Sequence, residues 1–196
     1  MKEPWQQGET ISISIGQGFN LTTPLQLAQA YSALANGGTR WRPRLVQRVL
    51  SPEGMVLKEF LPEKTGEVLL SQKTMALLEQ ALWGVVNEPG GTGAAARRFG
   101  ADVCGKTGTS QVIGLPQNEK VRRAMKMADY HKDHALFVCY APMKNPEIAV
   151  AVIAENAGGG GAVAAPIARK ILDAYFEGKK KQQAAGHAGK DSPADS

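Results

Sequence analysis

The chain has 196 residues, of which 43% are hydrophobic and 21% are charged, and its formal net charge is +5. This length is enough for one domain with a substantial core, and no apolar run approaches the roughly 18 residues of a membrane span. No nucleic-acid-binding motif accompanies the basic residues, so we expect a solvated basic surface and no nucleic-acid partner. The two cysteines do not make a disulfide framework.

The first predicted element is an extended segment. Isoleucine and serine alternate strictly over residues 11–15, which is the period of a short strand. Residues 16–18, Gly-Gln-Gly, indicate a tight turn, since the third glycine of the dinucleotide-binding fingerprint is missing.

A helix is predicted to follow this turn. Thr23 suits the N-cap, Pro24 suits the first helical position, and Gln26 completes a capping box. The helix is rich in alanine, which predicts that it lies deep in a core. Residues 36–38, Asn-Gly-Gly, end it through left-handed backbone geometry.

The next segment predicts a hairpin and a second helix. Residues 44–50 and 55–60 are two expected strands, and the Ser-Pro-Glu-Gly sequence between them is typical of a turn. Ser71 is the expected start of the helix, and residues 87–91, Asn-Glu-Pro-Gly-Gly, end it. The apolar stripe that we expect this helix to bury consists of Met75, Leu78, Ala81, Leu82 and Val85.

Residues 92–99 predict a short helix before the most informative stretch of the chain. That stretch, residues 103–112, reads Val-Cys-Gly-Lys-Thr-Gly-Thr-Ser-Gln-Val and is predicted to be a strand at a sheet edge facing a cleft. Residues 114–133 are a long polar connection. Strands at 135–141 and 148–154 then complete an antiparallel meander, in which Cys104 and Cys139 lie on neighbouring strands without a bond.

The C-terminal part is predicted to be a glycine loop, a helix and a tail. Residues 158–161 are expected to be a flexible loop, and residues 166–176 an amphipathic helix that Gly178 ends. We expect residues 1–178 to belong to one domain and residues 179–196, rich in Lys, Gln, Ala and Gly, to be disordered. The side chains expected to point inward from the helix are Ile167, Ile171, Leu172 and Tyr175.

The stretch around Lys106 has the chemistry of an anion-binding edge. In a strand, Lys106 and Gly108 share one face, and Thr107 and Thr109 share the other. Lys106 supplies a compact positive charge, the threonines supply hydroxyl donors for a carboxylate, and Gly108 allows another backbone to approach. A second copy of the triplet, residues 64–66, has no apolar strand before it, and we interpret it as a solvated turn.

Three other interpretations of this part of the chain are open to test. Residues 100–107, from Gly100 to Thr107, match the phosphate-binding loop GxxxxGK[ST] of nucleotide hydrolases, but that loop needs a strand before it and a long helix after it. Residues 91–96 mimic a dinucleotide loop, although they follow a helix and not a strand. A zinc site can also be drawn from Cys104, His131, His134 and Cys139, with a cysteine spacing far too long for a zinc knuckle.

Several motifs in the same order resemble the class B penicillin-binding proteins, and among them the elongation-type enzymes. The resemblance runs from about residue 8 to residue 177. It rests on residues 8–10 (Gly-Glu-Thr), 14–18 (Ser-Ile-Gly-Gln-Gly), 23–28 (Thr-Pro-Leu-Gln-Leu-Ala), 35–38 (Ala-Asn-Gly-Gly), 105–109 (Gly-Lys-Thr-Gly-Thr), 134–138 (His-Ala-Leu-Phe-Val), 140–142 (Tyr-Ala-Pro) and 155–156 (Glu-Asn).

The resemblance implies an α+β fold of the β-lactamase/transpeptidase kind, an antiparallel sheet flanked by helices. It implies a peptidoglycan D,D-transpeptidase that acts on stem peptides ending in D-Ala-D-Ala and binds β-lactams, with cell-elongation proteins as partners and no metal or organic cofactor. Lys106 and Thr109 would serve catalysis, and Lys106, Thr107, Gly108 and Thr109 would bind the substrate. The expected location is the periplasmic side of the bacterial inner membrane.

The family's nucleophile motif Ser-x-x-Lys and its second motif Ser-x-Asn do not occur in this sequence. Both precede the Gly-Gln-Gly segment in the family. We therefore expect the chain to be the C-terminal part of a transpeptidase domain, inactive by itself, whose catalytic serine, partner half and membrane anchor lie elsewhere in a parent protein. A non-catalytic domain that reuses the transpeptidase fold is a further alternative.

Overall fold

The structure is a computed structural model that describes residues 4–18, 20–112 and 132–188, with side chains up to residue 183. The helices are α1 (Gln7–Ser14), α2 (Pro24–Ala35), α3 (Gln72–Asn87) and α4 (Ala164–Ala188), with a 3₁₀ turn at Ala94–Ala96. The strands are β1 (Thr39–Trp41), β2 (Arg48–Leu50), β3 (Val56–Glu59), β4 (Lys64–Glu67), β5 (Cys104–Ser110), β6 (His134–Ala141) and β7 (Ile148–Ala154). None of the helices in these ranges is long and apolar enough to cross a membrane.

The central sheet has three strands in the order β5-β6-β7, and both pairs are antiparallel. The predicted meander is therefore confirmed. Residues that pair across antiparallel strands share a face, so Lys106, Val138 and Ala151 lie on one face, while Thr107, Phe137 and Val152 lie on the other.

Helices cover both faces of this sheet. The buried core lies on the Phe137 face, where α4 packs against β6 and β7 and the 3₁₀ turn packs against α4. α2 packs against the same two strands, and Leu27 and Tyr31 lie beside the Lys106 face. α3 packs against β5. This α+β arrangement, an antiparallel sheet flanked by helices, agrees with the predicted fold class.

Local capping explains where α2 and α3 begin. The Thr23 hydroxyl accepts from the Gln26 N–H at 3.2 Å, and the Gln26 side chain accepts from the Thr23 N–H at 2.8 Å, which is the predicted capping box. Ser71 caps α3 by accepting from the Thr74 N–H at 3.1 Å. Gly37 and Gly38 have positive φ after α2, as the Asn-Gly-Gly sequence predicts.

The expected strand at residues 11–15 is wrong, because these residues belong to helix α1. The Gln6 N–H donates to the Glu9 carboxylate at 2.6 Å, and this local bond favours a helix start. The alternating isoleucines have no strand beside them among the described residues, and Ile11 is 71% exposed. An apolar alternation predicts a strand only where another strand is available to pair with it.

The second Lys-Thr-Gly triplet is part of strand β4, not the predicted turn, and β4 pairs antiparallel with β1. It is largely exposed to solvent, as expected. The predicted hairpin of residues 44–60 is confirmed, although β2 and β3 are shorter than the predicted strands.

Helix burial differs from the sequence expectation. α2 was expected to lie deep in a core, but Ala33 is its one buried residue. α3 buries Val86, outside its predicted stripe. α4 buries Ala165, Ala168, Leu172 and Phe176, while Ile167, Ile171 and Tyr175 remain about two-fifths exposed. The predicted burial of Leu172 is confirmed, but α4 faces the sheet with Ala165, Ala168 and Phe176, so Ile167, Ile171 and Tyr175 lie at the rim of the contact.

Gly178 does not end α4, which continues to Ala188. Lys179 pairs with Glu147, just before β7, so the helix is tied to the sheet at the point where the tail was expected to begin. The division of the chain into a domain at 1–178 and a tail stays a prediction. Residues 189–196 lie outside the described residues.

Candidate active site

Strand β5 carries the Lys-Thr-Gly-Thr sequence at an edge of the central sheet. Lys106 and Thr109 are exposed, and Thr107 and Gly108 are half-buried. The register places Lys106 and Gly108 on one face and Thr107 and Thr109 on the other, which confirms the predicted alternation. The strand is slightly shorter than the predicted range of 103–112.

The strand excludes the phosphate-loop interpretation of residues 100–107. That loop would have to lead into a helix at Lys106 and Thr107. Here both residues lie inside β5, and their partners across the sheet are Val138 and Phe137. The backbone N–H groups of a strand are not gathered around one anion as those of a phosphate loop are.

Lys106 lies between two cavities. One of about 380 Å³ is lined by residues 15–17 and 20–22, by α2, and by residues 106–110. The other, of about 730 Å³, is lined by α3, by residues 88–92, and again by Lys106. The Lys106 ammonium donates to the Thr107 carbonyl oxygen at 3.0 Å and remains exposed. Strand β5 thus faces open space, as the sequence predicted.

Gln17 links the N-terminal loop to the same strand. Its side-chain amide donates to the Thr109 carbonyl oxygen at 3.0 Å. Backbone groups on an edge strand point alternately toward and away from the neighbouring strand. The Thr107 and Thr109 carbonyls both lie on the open side of β5. There the Thr107 carbonyl accepts a hydrogen bond from Lys106, and the Thr109 carbonyl accepts one from Gln17.

Thr92 contacts β5 from the α3–β5 connection. Its hydroxyl lies 3.0 Å from the Thr107 hydroxyl, at hydrogen-bond distance. Gly91 and Gly93 flank it, and the Gly93 N–H donates to the Val85 carbonyl oxygen at 2.9 Å. A side chain at Gly93 would lie 2.9 Å from the Phe137 ring, so glycine is required for this close approach.

The glycine loop after β7, which the sequence predicts to be flexible, packs behind β5 at Gly160. Gly160 is buried, and a Cβ there would overlap the carbonyl oxygens of Leu136 and Gly108. The Gly160 carbonyl oxygen accepts from the Ala165 N–H at 2.9 Å, and the Gly158 N–H donates to the Asp133 carbonyl oxygen at 2.8 Å. The loop is thereby fixed against the strand.

The proposed zinc ligands do not converge. Cys104 pairs with Tyr140 and Gly105 pairs with Cys139, so the two thiols lie on neighbouring strands as predicted but on opposite faces, and both are free. The His134 Nδ1 accepts from the Asn156 N–H at 2.9 Å. His131 lies outside the described residues. Among the residues that the structure describes, no cluster of His, Cys, Asp or Glu could hold a metal ion.

Burial raises the pKa of both thiols. The pKa of Cys104 is about 11, mainly because burial disfavours the thiolate, and the pKa of Cys139 is about 12 for the same main reason. A nucleophilic cysteine needs a low pKa and access to solvent. Neither thiol in this structure is suited to be the nucleophile of the site.

Sequence reasoning located β5 but missed the residues that support it. Gln17, Thr92 and Gly160 come from three glycine-containing segments that were interpreted as a turn, a mimic of a dinucleotide loop and a flexible loop. Each supports β5 from a different direction. Their shared signal is a glycine-rich segment, which identifies a close approach only when the neighbouring strand is known.

Comparison with known families gives a consistent result. The family model described as "Penicillin binding protein transpeptidase domain" matches residues 1–173. The peptidoglycan D,D-transpeptidase MrdA of Haemophilus influenzae is 42% identical over 187 residues, which is 92% of this chain and 28% of that protein. MrdA of Escherichia coli K12 is 36% identical over 176 residues, 88% of this chain and 27% of that protein.

Solved structures show the same fold. The chain matches Pseudomonas aeruginosa PBP2 in complex with WCK 5153 with a TM-score of 0.67 and 35% identity, over 88% of this chain and 33% of that one. It matches penicillin-binding protein 2B of Streptococcus pneumoniae R6 with a TM-score of 0.71 and 28% identity, over 90% of this chain and 28% of that one.

A third structural relative is an acylated protein. The imipenem acyl-enzyme complex of penicillin-binding protein A from Mycobacterium tuberculosis matches with a TM-score of 0.66 and 29% identity, over 84% of this chain and 33% of that one. This chain spans just over a quarter of the curated MrdA relatives. Its matched residues and its fold agree in one conclusion: the chain belongs to the penicillin-binding protein transpeptidase family, and within it to the PBP2/MrdA type.

Proposed function

We propose that this chain supplies the anion-binding edge, residues 106–109 of β5, in the active site of a serine-type peptidoglycan D,D-transpeptidase. The observation that carries the proposal is the exposed Lys-Thr-Gly-Thr edge of β5, open to two cavities. Similarity to relatives named peptidoglycan D,D-transpeptidase MrdA supports the reaction class. Because these relatives are named for peptidoglycan, we propose it as the substrate, together with a periplasmic location and cell-elongation partners for the parent protein.

The proposed reaction is acyl transfer through a covalent intermediate. A serine outside these 196 residues attacks the penultimate D-Ala carbonyl of a stem peptide, an ester forms, and the terminal D-Ala leaves with a proton on its amine. An amine of a neighbouring stem peptide then attacks the ester, which forms the cross-link and returns the proton to the serine. A β-lactam would enter the same site and acylate the same serine.

The residues of β5 have separate roles in this proposal. Lys106 supplies positive potential beside the reacting groups, and hydroxyls of Thr107 and Thr109 donate to the terminal carboxylate. The Thr109 N–H belongs to the open edge together with its carbonyl, which suits it to stabilise an oxyanion. Gly108 has no side chain, so a peptide backbone can approach the strand closely at this position.

The experiment is to label the full-length protein that carries this chain with a fluorescent penicillin. We expect one adduct per molecule, and we expect unlabelled β-lactams and a peptide ending in D-Ala-D-Ala to compete with labelling. Absence of an adduct in a folded protein would contradict the proposed function. It would favour the alternative, a non-catalytic domain that reuses the transpeptidase fold.

A further inference from the structure

Thr92 lies outside the Lys-Thr-Gly-Thr sequence but contacts it through one polar bond. The Thr92 and Thr107 hydroxyl oxygens are 3.0 Å apart. Among the described residues, the Thr92 hydroxyl has no other hydrogen-bond partner. Thr107 is half-buried and Thr92 lies at the rim of the larger cavity, so this pair is at the boundary between protein and site.

The direction of this hydrogen bond decides what Thr107 offers to a substrate. A hydroxyl has one hydrogen to donate and two lone pairs that accept. A carboxylate only accepts, so Thr107 binds it only by donating its hydrogen. If Thr107 donated to Thr92 instead, it would present lone pairs to the carboxylate and repel it.

We propose that Thr92 is a positioning residue that donates to Thr107 and so directs the Thr107 hydroxyl hydrogen toward the substrate carboxylate. This inference rests on the proposed function, because it assigns the carboxylate to Thr107. Chains of hydrogen bonds polarise one another, so donation from Thr92 also makes the Thr107 hydroxyl a better donor.

The surroundings hold Thr92 in place for this role. A Cβ at Gly91 would overlap the Val85 carbonyl oxygen, and one at Gly161 would overlap the Thr92 carbonyl oxygen. A Cβ at Gly161 would also lie 3.6 Å from the Thr107 methyl group. Backbone from two loops therefore packs closely beside Thr92 and Thr107, which holds the exposed Thr92 next to the Thr107 hydroxyl.

The test uses the full-length protein and two forms of one penicillin, the free carboxylate and its methyl ester. Thr92→Val keeps the side-chain shape and removes the hydroxyl. We expect it to slow acylation by the free carboxylate about 3- to 10-fold, the effect of one neutral hydrogen bond. Acylation by the ester should be unchanged, because the ester carries no carboxylate for Thr107 to bind.

Two further variants separate positioning from structural support. Thr92→Ser restores a hydroxyl and is expected to recover the preference for the free carboxylate. Thr65→Val removes a threonine hydroxyl from the distant β4, where it bonds the Arg40 carbonyl oxygen, and should change neither rate. Thermal unfolding of each variant identifies a loss that comes from instability alone.

Each outcome bears on a different claim. Equal slowing of both penicillin forms by Thr92→Val, or no slowing of either, would overturn the role of Thr92 while leaving the proposed function intact. If Thr92→Val does not fold, Thr92→Ser decides: a wild-type preference supports the inference, and a lost preference opposes it. Failure of the wild-type protein to be acylated by either form would overturn the inference together with the proposed function.

Discussion

Lys106 and Lys64 have the same local sequence, Lys-Thr-Gly, in two different settings. Lys106 lies on the edge strand β5 and lines both cavities beside it. Lys64 lies on the exposed strand β4, next to Trp41 of β1, and pairs with Glu67. A three-residue pattern therefore does not define the site; the open strand edge and its cavities do.

Replacing Lys106 by methionine removes the charge and keeps most of the apolar length of the side chain. Hydrogen bonds to charged groups contribute about 1.5–3 kcal/mol, so we expect Lys106→Met to slow penicillin acylation of the full-length protein about 10- to 100-fold. The matched variant Lys64→Met should leave the rate unchanged. The measurement is the second-order rate of labelling. Equal rates for both variants would show that the β5 lysine does not serve the site.

The two cysteines test the burial of the central sheet. Because their folded-state pKa values of about 11 and about 12 exceed the ordinary 9.0, both thiols are protonated at neutral pH. We expect iodoacetamide at pH 8 to modify neither cysteine in the folded protein and both after unfolding. Mass spectrometry measures the modification of each cysteine. Rapid modification of native Cys104 or Cys139 would be inconsistent with this packing.

The same pKa values fix the direction of the pH dependence of stability. The neutral thiols are favoured in the folded state, so their contribution to the free energy of unfolding is complete below pH 9. It is lost as the pH rises through 11 and 12. An increase in stability over this alkaline range would contradict the assigned burial.

Among the helices and strands, the sequence predicted those whose formation depends on local interactions. Helices α2 and α3 begin directly after their capping residues, Thr23 and Ser71. These starts could be predicted because a side-chain hydrogen bond to a first-turn N–H group needs no distant partner. The meander followed from three apolar runs separated by turn residues. For the candidate site, this was enough to locate β5 and the alternation of its side chains.

The elements that sequence missed depend on distant partners. β4 exists as a strand because β1 pairs with it. The buried face of α4 is shifted from the predicted one, because Ala165 and Ala168 lie beside the buried Leu172 while the isoleucines remain partly exposed. Gln17, Thr92 and Gly160 contact β5 from residues far away in the chain. Such contacts leave no periodic pattern in the sequence.

The loop at residues 158–161 is a structural support for β5, and two neighbouring glycines provide a controlled test. Gly160→Ala would place a methyl group against the Leu136 and Gly108 carbonyls, and overpacking of this kind costs about 1–3 kcal/mol. Gly159→Ala meets no atom within 4 Å and should change the free energy of unfolding by less than about 0.5 kcal/mol. Denaturant unfolding of the two full-length variants compares them, and equal stability would show that the loop does not press on β5.

At the scale of the whole molecule, helices α2 and α3 are less buried than their sequences predict. Leu25 of α2 and Leu77 of α3 are each 59% exposed. A groove of about 410 Å³ between these helices is lined mainly by apolar side chains, including Leu34, Met75 and Leu82. Because the chain spans just over a quarter of its curated relatives, we expect these surfaces to contact other parts of the parent protein.

We propose that this chain forms one side of a penicillin-reactive site whose nucleophile lies outside its 196 residues. The most direct measurement is to acylate the full-length protein with a labelled penicillin, digest it and locate the adduct by mass spectrometry, with the 196-residue chain treated in parallel. We expect one adduct on a serine outside this chain and none on the chain alone. An adduct on any residue of this chain would contradict it.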